Sequence, residues 1–247
     1  VTHALLDPEA MRRQLGHWQG KRRHSAAVDA LADAFSRRTV AAHATEAPQY
    51  AAGMSHALAR ALSIFGHPML VLPLAVVVIA LARGDRAAAL WSALGFGLFA
   101  ALVMGYSGWQ VRRGRWNHVD ASARHERGHL NRFLLAALAV GAVLVAWRGT
   151  QPLFALGMAL SAAMILVAML TARWCKLSLH LAFAVFAAWL LRELGTAWML
   201  VALLFAAAVA WSRLALHRHK PRDLVAGAIA GSVAGAAFWP LASRWMP

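Results

Sequence analysis

Twelve residues, Ser212-Arg213-Leu214-Ala215-Leu216-His217-Arg218-His219-Lys220-Pro221-Arg222-Asp223, place a serine, arginines, histidines and an aspartate on a short polar stretch between two apolar runs. A histidine that attacks as a nucleophile needs a carboxylate to fix its tautomer and to stabilise the charge it gains. A phosphoryl group needs fixed cations and hydroxyl or amide donors around its equatorial oxygens. His219 with Asp223, and Arg213 with Ser212, are residue types suited to those two tasks.

Two further polar segments interrupt the apolar chain. In Lys176-Leu177-Ser178-Leu179-His180, Ser178 is a plausible helix N-cap. His180 then falls in a first helical turn, where free N–H groups favour an anion. In Asp120-Ala121-Ser122-Ala123-Arg124-His125-Glu126-Arg127-Gly128, Arg127 can clamp phosphate oxygens through two parallel N–H bonds. Asp120 cannot, because a carboxylate beside a phosphate repels it.

The spacing Ser-Arg, five residues, His, three residues, Asp resembles the third signature segment of the type-2 phosphatidic acid phosphatases. These lipid phosphate phosphatases share their active site with vanadium haloperoxidases. Lys176–His180 is similar to the family's second segment, usually Pro-Ser-Gly-His, with Leu179 where glycine is usual. Asp120–Gly128 is similar to its first segment, usually Lys, six residues, Arg-Pro, with Asp120 for lysine and Gly128 for proline. The resemblance implies that His219 attacks phosphorus, Asp223 holds it, and His180 protonates the leaving alkoxide. It also implies that Arg213, Arg127, Ser178 and Ser212 bind phosphate. Lys176 then supplies the missing ammonium, while Asp120 orients Arg127 or Arg124. No metal or other cofactor is required, since fixed cations supply the charge stabilisation.

These segments must be positioned by something apolar. Sixty per cent of the 247 residues are apolar, only 14% are charged, and mean hydropathy is +0.53. That is the composition of a polytopic membrane protein rather than a soluble domain. Apolar runs cover about 57–82, 87–108, 131–147, 152–172, 179–194, 196–212 and 223–242, each close to the length of a membrane-crossing helix. The expected fold is therefore an all-α membrane bundle with six to seven transmembrane helices over residues 57–247. Gly227, Gly231 and Gly235 recur every fourth residue and predict a close helix–helix face.

Residues 1–56 form a basic leader in which Ser25 to Arg38 has amphipathic helical spacing. It reads either as a helix lying on an anionic leaflet or as a solvated, partner-binding tail. With seven crossings, the leader and the loops at 109–132, 173–176 and 213–222 share one side. Basic loops favour the cytoplasmic side, so the expectation is a bacterial inner-membrane protein whose site faces the cytoplasm. A net charge of +15 points to anionic lipid head groups as partners; no nucleic acid is expected. Lone Cys175 excludes an intramolecular disulfide.

Hydrolysis of a lipid phosphomonoester or diphosphate is the leading reading. A phosphotransferase on the same fold, with a hydroxyl acceptor in place of water, uses the same residues. A non-catalytic membrane protein with a degenerate site is the alternative outside enzymology. A metal reading of His217 and His219 with Asp223 lacks a usual ligand set.

Overall fold

The computed structural model describes residues 49–119, 121, 123–149 and 151–245, with the side chains of 49–54 and of Arg124 excepted. The leader up to residue 48, including the Ser25–Arg38 helix, and Asp120 lie outside the described residues. Among the described residues the chain is helical, with no strand. The helices are α1 (Gln49–Phe65), α2 (Pro68–Ala82), α3 (Arg86–Arg112), α4 (Arg124–Arg148), α5 (Pro152–Leu170), α6 (Leu179–Leu191), α7 (Thr196–Ala215) and α8 (Pro221–Ala242).

Five helices (α3, α4, α5, α7 and α8) are long and apolar enough to cross a membrane. A sixth span arises if α1 and α2 are taken together across their 60° bend. Large apolar side chains point outward from several of them: Trp147 is 82% exposed, Leu98 75% and Leu204 72%. Unpartnered apolar surface on this scale is what a bilayer covers.

The first apolar run is thus two helices. Pro68 removes a backbone donor and opens α2 at its first position, with His67 as the N-cap. The third run begins earlier than its apolar residues do. Glu126 sits in the first turn of α4, where its carboxylate accepts the Ala123 N–H at 2.9 Å and the Asn117 N–H at 2.8 Å. Arg127 therefore rides on a helix rather than a loop. Arg213 does too, in the last turn of α7.

Short α6 is apolar all round, and Leu181 to Ala188 with Leu190 are all buried, the mark of a helix enclosed by others. Gly227 of α8 packs on its first turn, where an added Cβ would stand 2.6 Å from the Ser178 carbonyl oxygen. Gly231 meets Ala182 and Gly235 meets Trp189 in the same way. The glycine stripe is a backbone-to-backbone contact between α8 and α6.

α2 and α6 have 15 and 13 residues, about 22 and 20 Å at the helical rise, against about 30 Å of hydrocarbon. Their C-terminal ends are level, since Arg83 and Glu193 form an ion pair there. At their other ends His67, the N-cap of α2, and His180, in the first turn of α6, come together.

Candidate active site

The turn after α7 lies against this part of the bundle. Leu216 N–H bonds to Ser212 O, His217 N–H to Leu214 O, and Arg218 N–H to Arg213 O. His217 takes the left-handed conformation at φ 52°. This 6→1 closure ends a helix and reverses the chain, which carries His219 back over the segment before α6.

The His219 and Lys176 segments are laced together at three points. His219 Nδ1 lies 3.1 Å from the Lys176 carbonyl oxygen. Lys176 Nζ donates to Arg218 O at 2.9 Å, and Lys176 N–H donates to Asp223 Oδ1 at 3.1 Å. Asp223 is buried; its Oδ2 accepts the Lys220 N–H at 3.0 Å and stands 3.8 Å from His219 Nδ1. That separation is an ion-pair distance and too long for a hydrogen bond. The direct partner of His219 is therefore the Lys176 carbonyl, which as an acceptor keeps the proton on Nδ1 and leaves Nε2 with its lone pair. Asp223 also accepts from Cys175 Sγ at 3.4 Å, and burial followed by that bond pushes the Cys175 thiol up.

Cations surround the ring. Burial first, then Arg213 and Lys176, push His219 down to about 4, so it is a neutral imidazole at physiological pH. Desolvation, then Arg127 and Arg213, hold Lys176 below the usual lysine range. Arg127 and Lys176, from α4 and from the segment before α6, are thus close enough to feel each other's charge.

His180 stands in the first turn of α6 with Arg213, His67 and His219 as its charged or titratable surroundings. Its ring meets that of His67 edge-on, centroids 5.0 Å apart. Ser178 occupies the N-cap position but makes no cap bond, and its buried hydroxyl has no partner. Arg213 Nε is likewise buried and unpartnered, while Nη1 donates to Ser63 Oγ at 2.6 Å. A buried donor and hydroxyl left open beside one another's segments are what an anionic ligand would satisfy.

Ser212 is oriented differently from the reading made of its type and spacing. Its buried hydroxyl donates to Val209 O at 2.7 Å, one turn back in its own helix. The side chain of Arg124 lies outside the described residues.

Three contributors were not singled out by sequence reasoning. Ser63 and His67 lie inside the first apolar run; their signal was a polar pair and a Gly-His-Pro break where a plain span has neither. Glu126 anchors the loop before α4, and its signal was a glutamate at the third position of a helix. Trp116, in the loop before α4, is buried against Tyr106, rings 5.6 Å apart. Comparison with known proteins finds no matching family model, curated protein or solved structure.

Proposed function

We propose that this integral membrane protein is a lipid phosphate phosphatase working through a phosphohistidine on His219. Support comes from one arrangement: Nδ1 of His219 faces the Lys176 carbonyl with Asp223 behind it, so Nε2 is free, and Arg213 and Lys176 stand beside it.

Nε2 attacks phosphorus as the bond to the lipid oxygen breaks, and His180, which takes up a proton as the anionic phosphate binds beside it, delivers the proton that oxygen needs. A water then attacks the phosphohistidine, its proton returns to His180, and the phosphorus–nitrogen bond breaks to release inorganic phosphate. Arg213, Arg127, Lys176 and the Ser178 hydroxyl hold the equatorial oxygens throughout. The pattern of motifs similar to the type-2 phosphatidic acid phosphatases supports the same reading.

A lipid substrate is supported by the apolar outer faces of the helices that carry these residues. Arg112, Arg113, Arg115, Arg173, Arg218, Lys220 and Arg222 crowd the His219 end of the bundle, against Arg83, Arg86, Arg148, Arg192 and Arg244 at the other. By the charge bias of cytoplasmic loops, the site opens to the cytoplasmic leaflet of a bacterial inner membrane. The deciding experiment is phosphate release by purified protein across phosphatidic acid, polyprenyl and sphingoid phosphates, with EDTA present. Turnover that His219→Ala eliminates supports the proposal; turnover that survives this change ends it.

A further inference from the structure

We propose that the bend between α1 and α2 is a fourth segment of the site, in which His67 positions the His180 ring for proton delivery to the leaving oxygen. This rests on the phosphatase reading above and names a residue outside the three motif segments.

Three contacts place the bend. Gly66 is buried against Val209 of α7, whose methyl a Cβ at Gly66 would strike; a Cβ there would also stand 2.9 Å from Leu62 O. Only glycine lets the bend press that close. Val209 lies one turn before Arg213, so the bend arrives at the level of the guanidinium. There Ser63 Oγ accepts from Arg213 Nη1 at 2.6 Å. The next polar residue along, His67, meets His180 edge-on at 5.0 Å with an interplanar angle of 90°.

The His67 ring is itself held. Its Nδ1 accepts the Met69 N–H at 3.2 Å, capping α2, so the neutral ring carries its proton on Nε2. Pro68 fixes the backbone on the other side. A ring pinned by a helix start and standing perpendicular to His180 restricts rotation of the His180 imidazole about its own side-chain bonds. Delivery of a proton in a transition state depends on such orientation within hydrogen-bond reach. A bent helix pair that packed only against lipid and neighbours would need none of Ser63, Gly66 and His67 together within about one turn of the same approach.

A capping residue without a role in the reaction is the competing explanation, and the leaving group separates the two. An alkyl leaving group needs a proton, whereas p-nitrophenolate is stable without one. Purified full-length protein would be assayed on a lipid phosphate and on p-nitrophenyl phosphate, as wild type and as His67→Asn, His67→Phe, His180→Ala and His219→Ala. Asparagine retains the N-cap but removes the ring. Positioned acids contribute about 10²–10⁴-fold, so His67→Asn should lower kcat on the lipid phosphate by ~10–100-fold and on the aryl ester by less than ~3-fold. His180→Ala should show the same pattern more steeply, and His67→Phe should fail on the lipid phosphate as well. Unchanged turnover of both substrates by His67→Asn would make the residue a helix cap only, and equal losses on both would make it structural; either overturns the proposal. Failure of the phosphatase reading looks different: no phosphate release by the wild type, or full activity in His219→Ala.

Discussion

His219 Nδ1 and the Lys176 carbonyl oxygen are 3.1 Å apart, although 43 positions separate the two residues. A main-chain acceptor, with Asp223 at 3.8 Å behind it, does the work of fixing the tautomer. Asp223 meanwhile spends its oxygens on the N–H groups of Lys176 and Lys220. The carboxylate is first a tie between two segments and second a charge for the histidine.

Asp223→Asn should therefore harm stability as well as rate. The amide turns one acceptor into a donor facing a main-chain N–H, which costs about 1–3 kcal/mol at a buried site. A lowered thermal midpoint together with a rate loss of orders of magnitude is the expected pair of results. A rate loss at unchanged midpoint would mean that the tie is dispensable.

Removing a neighbouring cation should move the acid limb of the pH profile. His219 is held down to about 4 by burial, Arg213 and Lys176, with the Lys176 carbonyl and Asp223 acting in the opposite sense. The reactive form is the neutral ring, so activity falls as pH drops through that value. Lys176→Met deletes one positive charge and keeps the carbonyl; the imidazolium becomes easier to form, and the limb shifts to higher pH. The comparison is of kcat/KM for wild type and variant on one substrate, whose own ionisation is common to both. A limb that stays put or moves lower would exclude Lys176 as a neighbour of the reacting ring.

Ser63→Ala should weaken phosphate binding without touching any motif residue. The bond from Arg213 is charge-assisted and worth roughly 1.5–3 kcal/mol, which corresponds to about tenfold or more in the inhibition constant for vanadate. Isothermal binding or inhibition measurements on the purified variant check it. Unaltered vanadate inhibition would show that Arg213 holds its place without Ser63.

Adding one methyl to the glycine stripe should pry α8 from α6. At Gly227 the new Cβ would lie 2.6 Å from the Ser178 carbonyl oxygen, a main-chain atom with nowhere to go. Gly227→Ala should cost about 1–3 kcal/mol and depress turnover by shifting His219 relative to His180. Gly157→Ala, where nothing lies within 4 Å, is the control and should be close to neutral. Equal thermal midpoints for the two variants would contradict the packing.

Labelling with a membrane-impermeant thiol reagent tests orientation. In a Cys175→Ser background, Ala123→Cys lies at the His219 end and Gln151→Cys at the other. Intact cells should label the Gln151→Cys variant and spare the Ala123→Cys variant. The reverse pattern would place the His219 end on the outer face.

Much of this architecture was legible from one dimension. Apolar runs of crossing length, the four-residue glycine repeat and the polar segments between runs are all local patterns. Their physical cause, burial of apolar surface along a 3.6-residue period, acts over neighbouring residues. Hence the all-α bundle of membrane-length helices could be read directly from the residues.

What the residues alone left open is which atoms face which. Arg213 and Arg127 sit in helical turns because capping and chain-reversal bonds, rather than hydropathy, set where α7 ends and α4 starts. Ser212 bonds to its own helix, a choice made by side-chain rotation within α7. Ser63 and His67 join Arg213 and His180 only because Gly66 lets a bent helix touch Val209, a contact 143 positions away in the chain. Such contacts depend on close packing between distant segments, which no local pattern encodes, and so the tertiary structure alone decided them.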